Sequence, residues 1–134
     1  MEKQSALNTQ VDGNHYKNQR IQPIELAYLV GGTPCFCKLA KYGSRNKVSK
    51  AIDLTKALHC VNIERELFEK APHSLEENYP QQGWASYERA CAWIDVFTDD
   101  VIFRAALKDM WMRNYDSAAI LVEDMMKEAG VYQS

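Results

Sequence analysis

Between Glu25 and Asp53 the chain carries no acidic residue, yet Lys38, Lys41, Arg45, Lys47 and Lys50 all fall inside that window. Pro34 has a fixed φ suited to a first helical turn and lacks an amide hydrogen that such a turn would leave unpaired, so it predicts a helix start. In that helix Lys38, Lys41 and Arg45 recur at i, i+3 and i+7 and project from one face. Three cations on one face favour an anion. Arg45 offers a planar fork that grips a phosphate through two hydrogen bonds, while Lys41 acts as a point charge, with Lys38 a turn earlier. Tyr42 in the same segment, or Tyr16 upstream, can stack on a base. His15 and Tyr16 follow the turn-prone run Asp12-Gly13-Asn14, and they read either as a wall of a ligand pocket or as an ordinary hydrogen-bonded pair at a loop. Asp53 could orient an attacking oxygen, hold a metal, or simply cap or pair on its helix.

The elements that must present these residues read as helices. Residues 1–11 are polar and aperiodic and predict a loose N-terminal arm. A short helix begins near Pro23 and stops at Gly31-Gly32. The turn Gly31-Gly32-Thr33-Pro34 lacks the spacing of a phosphate-binding glycine loop and reads as a helix stop and restart. The basic helix ends between Gly43 and Asn46, and 48–69 predicts a longer amphipathic helix with the apolar set Ile52, Leu54, Leu58, Val61, Ile63, Leu67 and Phe68. A polar connector with two prolines spans 71–83 and marks a boundary. Three further helices are expected at 84–97, 99–113 and 115–129, with Thr98 or Asp99 capping the second, and Asp116 or Ser117 opening the third. Strand-like alternation is absent. The expected architecture is all-α, a compact helical domain over 12–70 with an appended C-terminal helical bundle.

Composition narrows the class further. With 134 residues the chain reads as one domain able to bury a core. No apolar run approaches the roughly 18 to 20 residues of a membrane span, and the polar start lacks a signal-peptide core, so a cytoplasmic protein is expected. Cys35, Cys37, Cys60 and Cys91 follow no metal-binding or paired spacing, which predicts reduced, mostly buried thiols and no zinc. Residues 1–56 hold nine Lys/Arg against four Asp/Glu, whereas 57–134 hold seven against fourteen. A basic half can hold phosphates; the acidic half argues against general binding to duplex nucleic acid.

Several of these residues fall in an order that resembles a known family. His15-Tyr16, Ile21-x-Pro23-Ile24-Glu25-Leu26, Phe36, Lys41-Tyr42-x-x-Arg45, Asp53-Leu54-x-Lys56-Ala57 and Glu66-Leu67-Phe68-Glu69-Lys70 together resemble the small phage-encoded family that includes a podovirus nucleotide kinase, over about residues 12–70. That resemblance implies an all-α phage domain of the host cytoplasm, phosphorylation of deoxynucleoside monophosphates, and ATP with Mg²⁺ as donor. Carried over residue by residue, it implicates His15, Tyr16, Lys41, Tyr42, Arg45, Asp53 and Lys56. Arg45 and Asp53 are then the catalytic candidates, and His15, Tyr16, Lys38, Lys41, Tyr42 and Lys56 the substrate-binding ones. The family shows Gly-Asn ahead of its Ala-Ile-Lys-Tyr stretch, where this chain has Cys37-Lys38. Losing a close-approach glycine and a neutral amide while gaining a cation changes the ligand, or abolishes transfer while keeping phosphate binding.

Other chemistries fare worse. An all-α pyrophosphohydrolase needs carboxylates clustered on two helices, and Glu66-x-x-Glu69 supplies one pair only. His59 reads as a satisfied core residue and His73 as solvent-exposed. Cys35 and Cys37 lie near lysines that would depress a thiol pKa, though core thiols are the simpler reading. The alternative function is a non-catalytic phage protein that sequesters a nucleotide or binds a host defence protein through its acidic half. A Trp- and Met-rich second half suits either a homo-oligomer interface or a monomer's core.

Overall fold

Proline opens three of the helices. Pro23, Pro34 and Pro72 each stand in the first turn of an element, where a missing amide hydrogen costs nothing. The computed structural model describes residues 21–45, 50–80 and 86–130. Seven helices and no strand occur among them: α1 Pro23–Val30, α2 Pro34–Ser44, α3 Lys50–Lys70, α4 Pro72–Asn78, α5 Tyr87–Phe97, α6 Val101–Trp111 and α7 Tyr115–Glu128. The expected arm at 1–11 and the residues His15, Tyr16, Lys47 and Trp84 lie outside the described residues.

Caps explain most boundaries. Gly31 ends α1 in the left-handed region (φ 66°), and the amide of Gly32 donates back to the Ala27 carbonyl. Thr33 caps α2 by accepting from the Phe36 amide at 3.0 Å. Ser86 caps α5 and Asp100 caps α6, the latter accepting from the Phe103 amide at 2.8 Å. The cap of α6 thus falls one residue beyond the expected Thr98 or Asp99; Thr98 instead accepts from the Asp100 amide and turns the chain toward it. Asn114, not Asp116 or Ser117, precedes α7. Where a bare connector is expected, Pro72–Asn78 forms a helix, because the proline that interrupts α3 also starts the next turn.

One apolar cluster draws on both halves of the chain. Leu26, Val30, Phe36, Leu39, Leu54 and Val61 pack with Ile94, Phe103, Leu107, Met110 and Val122. The broadest packing is between α2 and α3, α6 and α7, and α3 and α7. Trp111 locks the far ends together, its indole N–H donating to the Val30 carbonyl at 2.8 Å. Gly43 lets α2 touch α6: a Cβ built there would stand 2.4 Å from the Phe103 ring, which is itself buried. The long helix buries Leu54, Leu58 and Val61 as expected and adds Ala57, but Ile52 and Leu67 are exposed and Asp53 and Glu64 take their place inside. His59 is exposed, a correction to its reading as a core residue, since it falls between the buried positions 57–58 and 60–61. None of the described helices is long and apolar enough to cross a membrane.

Candidate functional site

The last turn of α2 and the first turns of α3 meet at a corner built around Tyr42. Lys41 Nζ lies 5.8 Å from the Tyr42 ring centroid, the Arg45 guanidinium carbon 5.4 Å, and Lys56 Nζ 5.6 Å. A ring face attracts cations, and three of them gathered about one ring make the corner locally cationic. Tyr42, Lys41 and Arg45 are half-buried and Lys56 is exposed. The structure ends α2 at Ser44, so Arg45 reaches the corner from the extended residue after the helix and not from its helical face as the spacing predicts, and α3 adds Lys56 from the neighbouring helix.

Beneath them lies Asp53, 3 % exposed. Arg45 Nη1 donates to Asp53 Oδ1 at 3.5 Å, while Oδ2 is buried with no hydrogen-bond partner. A carboxylate so placed is an anchor for the guanidinium. Its burial leaves little of the carboxylate open to solvent. Lys50 completes the corner from inside: its ammonium donates to the Gly43 carbonyl at 2.6 Å and the Arg45 carbonyl at 2.8 Å, closing the C-terminus of α2. Burial pushes the Lys50 pKa down, opposed by the carboxylates of Asp53 and Asp100. Lys50 thus holds the backbone at the end of α2.

Lys38 is exposed one turn earlier, where its charge acts on Cys35, Cys37 and Cys60. Cys37 is nonetheless pushed up by burial, which outweighs the nearby Lys41 and Lys38, so the structure does not activate it. Cys35 and Cys60 share a hydrogen bond across the α2–α3 contact; it raises Cys35 and lowers Cys60 to about 7. No group of three or more His, Cys, Asp or Glu side chains that could hold a metal gathers among the described residues.

A second polar cluster escapes sequence reasoning altogether. Glu64, 4 % exposed, accepts from the Thr33 hydroxyl on one oxygen and from the Tyr115 hydroxyl on the other, the latter at 2.6 Å. Burial raises the Glu64 pKa, and the hydrogen bonds from Thr33 and Tyr115 oppose that rise. Tyr115 is itself pushed up, by burial and by the carboxylate it serves. The available signal is positional: Glu64 continues the buried row Asp53, Ala57, Cys60 of α3 at helical spacing. Comparison with protein-family models, with curated proteins and with solved structures gave no match to this chain.

Proposed function

We propose that this is a phage nucleotide-handling protein of the host cytoplasm that holds the phosphate of a nucleotide at the α2–α3 corner. Arg45 supplies the bidentate grip, Lys41 and Lys56 supply charge, and Tyr42 offers a face for a base. The observation that carries this reading is the gathering of Lys41, Arg45 and Lys56 within 6 Å of one tyrosine ring. Phosphoryl transfer needs chiefly positioning and neutralisation of the phosphate oxygens, and such a corner offers both. The reaction to test is transfer from ATP with Mg²⁺ to deoxynucleoside monophosphates, as the family resemblance implies.

Titration of nucleoside mono- and triphosphates into the protein checks the site. Arg45→Ala should weaken binding about 10- to 100-fold, the loss of one charged hydrogen-bonding partner, while Lys127→Ala at an exposed position of α7 should leave it unchanged. Indistinguishable curves for the two variants would remove the site. A transfer assay over a panel of monophosphates decides whether binding leads to chemistry. A second reading is a non-catalytic protein that docks on a host defence protein, favoured by large apolar side chains left in solvent on the acidic half: Val101 is 77 % exposed and Ile120 58 %. Pulldown from host lysate with Val101→Asp as the negative control tests it.

A further inference from the structure

A concavity bounded by described residues lies away from the cationic corner. It opens between α1, the Gly31–Pro34 turn and the C-terminal end of α4, and measures about 530 Å³, inside the range of roughly 300 to 1,000 Å³ typical of small-molecule sites. Ala27, Tyr28, Gly32, Cys37, Asn78 and Tyr79 define its walls. None of its described lining residues is charged, although charged residues make up 25 % of the chain. An ion entering it would lose hydration without gaining a partner, so the walls select against phosphates, carboxylates and ammonium groups alike.

The rim and floor say more about the occupant. Tyr28 is 84 % exposed and Ile24 51 %, leaving a ring and a branched chain in water at the mouth. The walls are held in place. Gly32 backs onto Phe36 so closely that a Cβ would stand 2.5 Å from that ring. On the far side the Arg113 guanidinium donates to the Tyr79 carbonyl and lies 4.3 Å from the Phe68 ring centroid, tying the end of α4 to the α6–α7 turn. Asn78 and Cys37 place an amide and a neutral thiol at the wall, able to fix the orientation of a ring nitrogen or carbonyl. A fixed concavity with tyrosines, no charge and few polar handles suits a flat ring.

We infer that this concavity is a binding site for an uncharged, ring-containing small molecule, separate from the phosphate-binding corner. Its occupant stacks on Tyr28 and is read by Asn78 and Cys37. The test is a titration of the full chain with indole, indole-3-acetate and tryptamine, followed by amide shifts in ¹H–¹⁵N spectra. Indole should move Gly31, Gly32, Cys37 and Tyr79, and its anionic and cationic analogues should bind at least about tenfold more weakly. Tyr28→Ala removes an exposed side chain and so preserves the fold; it should weaken indole binding about threefold or more, and Ala27→Leu, which fills the floor, should do the same. Equal binding of the three probes, shifts centred elsewhere, or unchanged titrations in both variants would overturn the assignment. So would probe-free shifts at the same amides that grow with protein concentration, which would give the face to a second copy of the chain.

Discussion

Helix α3 carries two buried carboxylates on one face, three turns apart, and the fold treats them differently. Both oxygens of Glu64 are occupied, one by Thr33 from the α1–α2 turn and one by Tyr115 from α7, so a single side chain ties three segments together. Asp53 is equally buried, but Arg45 reaches one oxygen at only 3.5 Å and the other has no partner. Burial alone therefore does not distinguish the two carboxylates; completeness of hydrogen bonding does. The satisfied group stabilises the core. The incomplete one holds a cation in place at the edge of a charged corner.

That contrast can be broken by mutation. Glu64→Ala leaves the Tyr115 hydroxyl buried with no acceptor and releases Thr33, and should cost about 3 kcal/mol of unfolding free energy in urea. Asp53→Ala should cost about 1 kcal/mol, because Arg45 is 19 % exposed along its side chain and can turn to water. Equal losses would erase the distinction. Next in size, Gly43→Ala drives a methyl group into the buried Phe103 ring, which must shift to admit it, and should cost about 1 to 3 kcal/mol.

Acid–base titration sharpens the same comparison. Burial holds the Glu64 pKa above its ordinary value of 4.5, so the folded chain keeps that proton at pH values where the unfolded chain has released it. The sign follows: the contribution of Glu64 is full below pH 4.5 and is lost as pH rises through its elevated folded value. The stability difference between the native chain and Glu64→Gln should therefore shrink on raising the pH out of the acid range, as read by urea midpoints at matched ionic strength. A difference that grew instead would mean that Thr33 and Tyr115 outweigh burial. Tyr115 adds a second loss above pH 10, its ordinary value, because its raised pKa keeps the folded phenol neutral while the unfolded one ionises.

Much of this was legible in the residues, and the remainder was hidden for physical reasons. The helical period gave α1 to α3 and α5 to α7, and Pro34, Gly31 and Arg45 marked where α2 starts, what precedes it and where its charge lies. Lys41, Tyr42 and Arg45 lie within five residues of one another, so nearness in the chain groups them even though Arg45 falls just past the end of α2. Lys56 joins them only because α3 folds back against α2; the period places it on α3 but does not aim it at Tyr42. The Thr33–Glu64–Tyr115 tie joins residues 31 and 51 positions apart, a relation that no local pattern encodes. The same holds for the concavity at Tyr28 and Tyr79: its walls come from a turn and a proline-rich connector that each look bland alone.

The smallest expected effect is the most informative about Asp53. Asparagine has nearly the same shape, and its carbonyl can still accept from Arg45 Nη1, so Asp53→Asn should alter stability by less than about 1 kcal/mol. What it removes is a negative charge 3.5 Å from the guanidinium. If phosphate binds at the corner and Asp53 acts only beneath Arg45, deleting that charge should tighten the binding of inorganic pyrophosphate about threefold at low salt, with the gain fading as salt rises. The opposite result, weaker binding with Arg45 still in place, would mean that Asp53 itself reaches the bound molecule through a metal or a proton. Because the two outcomes differ in sign, calorimetry on this one variant separates an anchoring carboxylate from a reacting one.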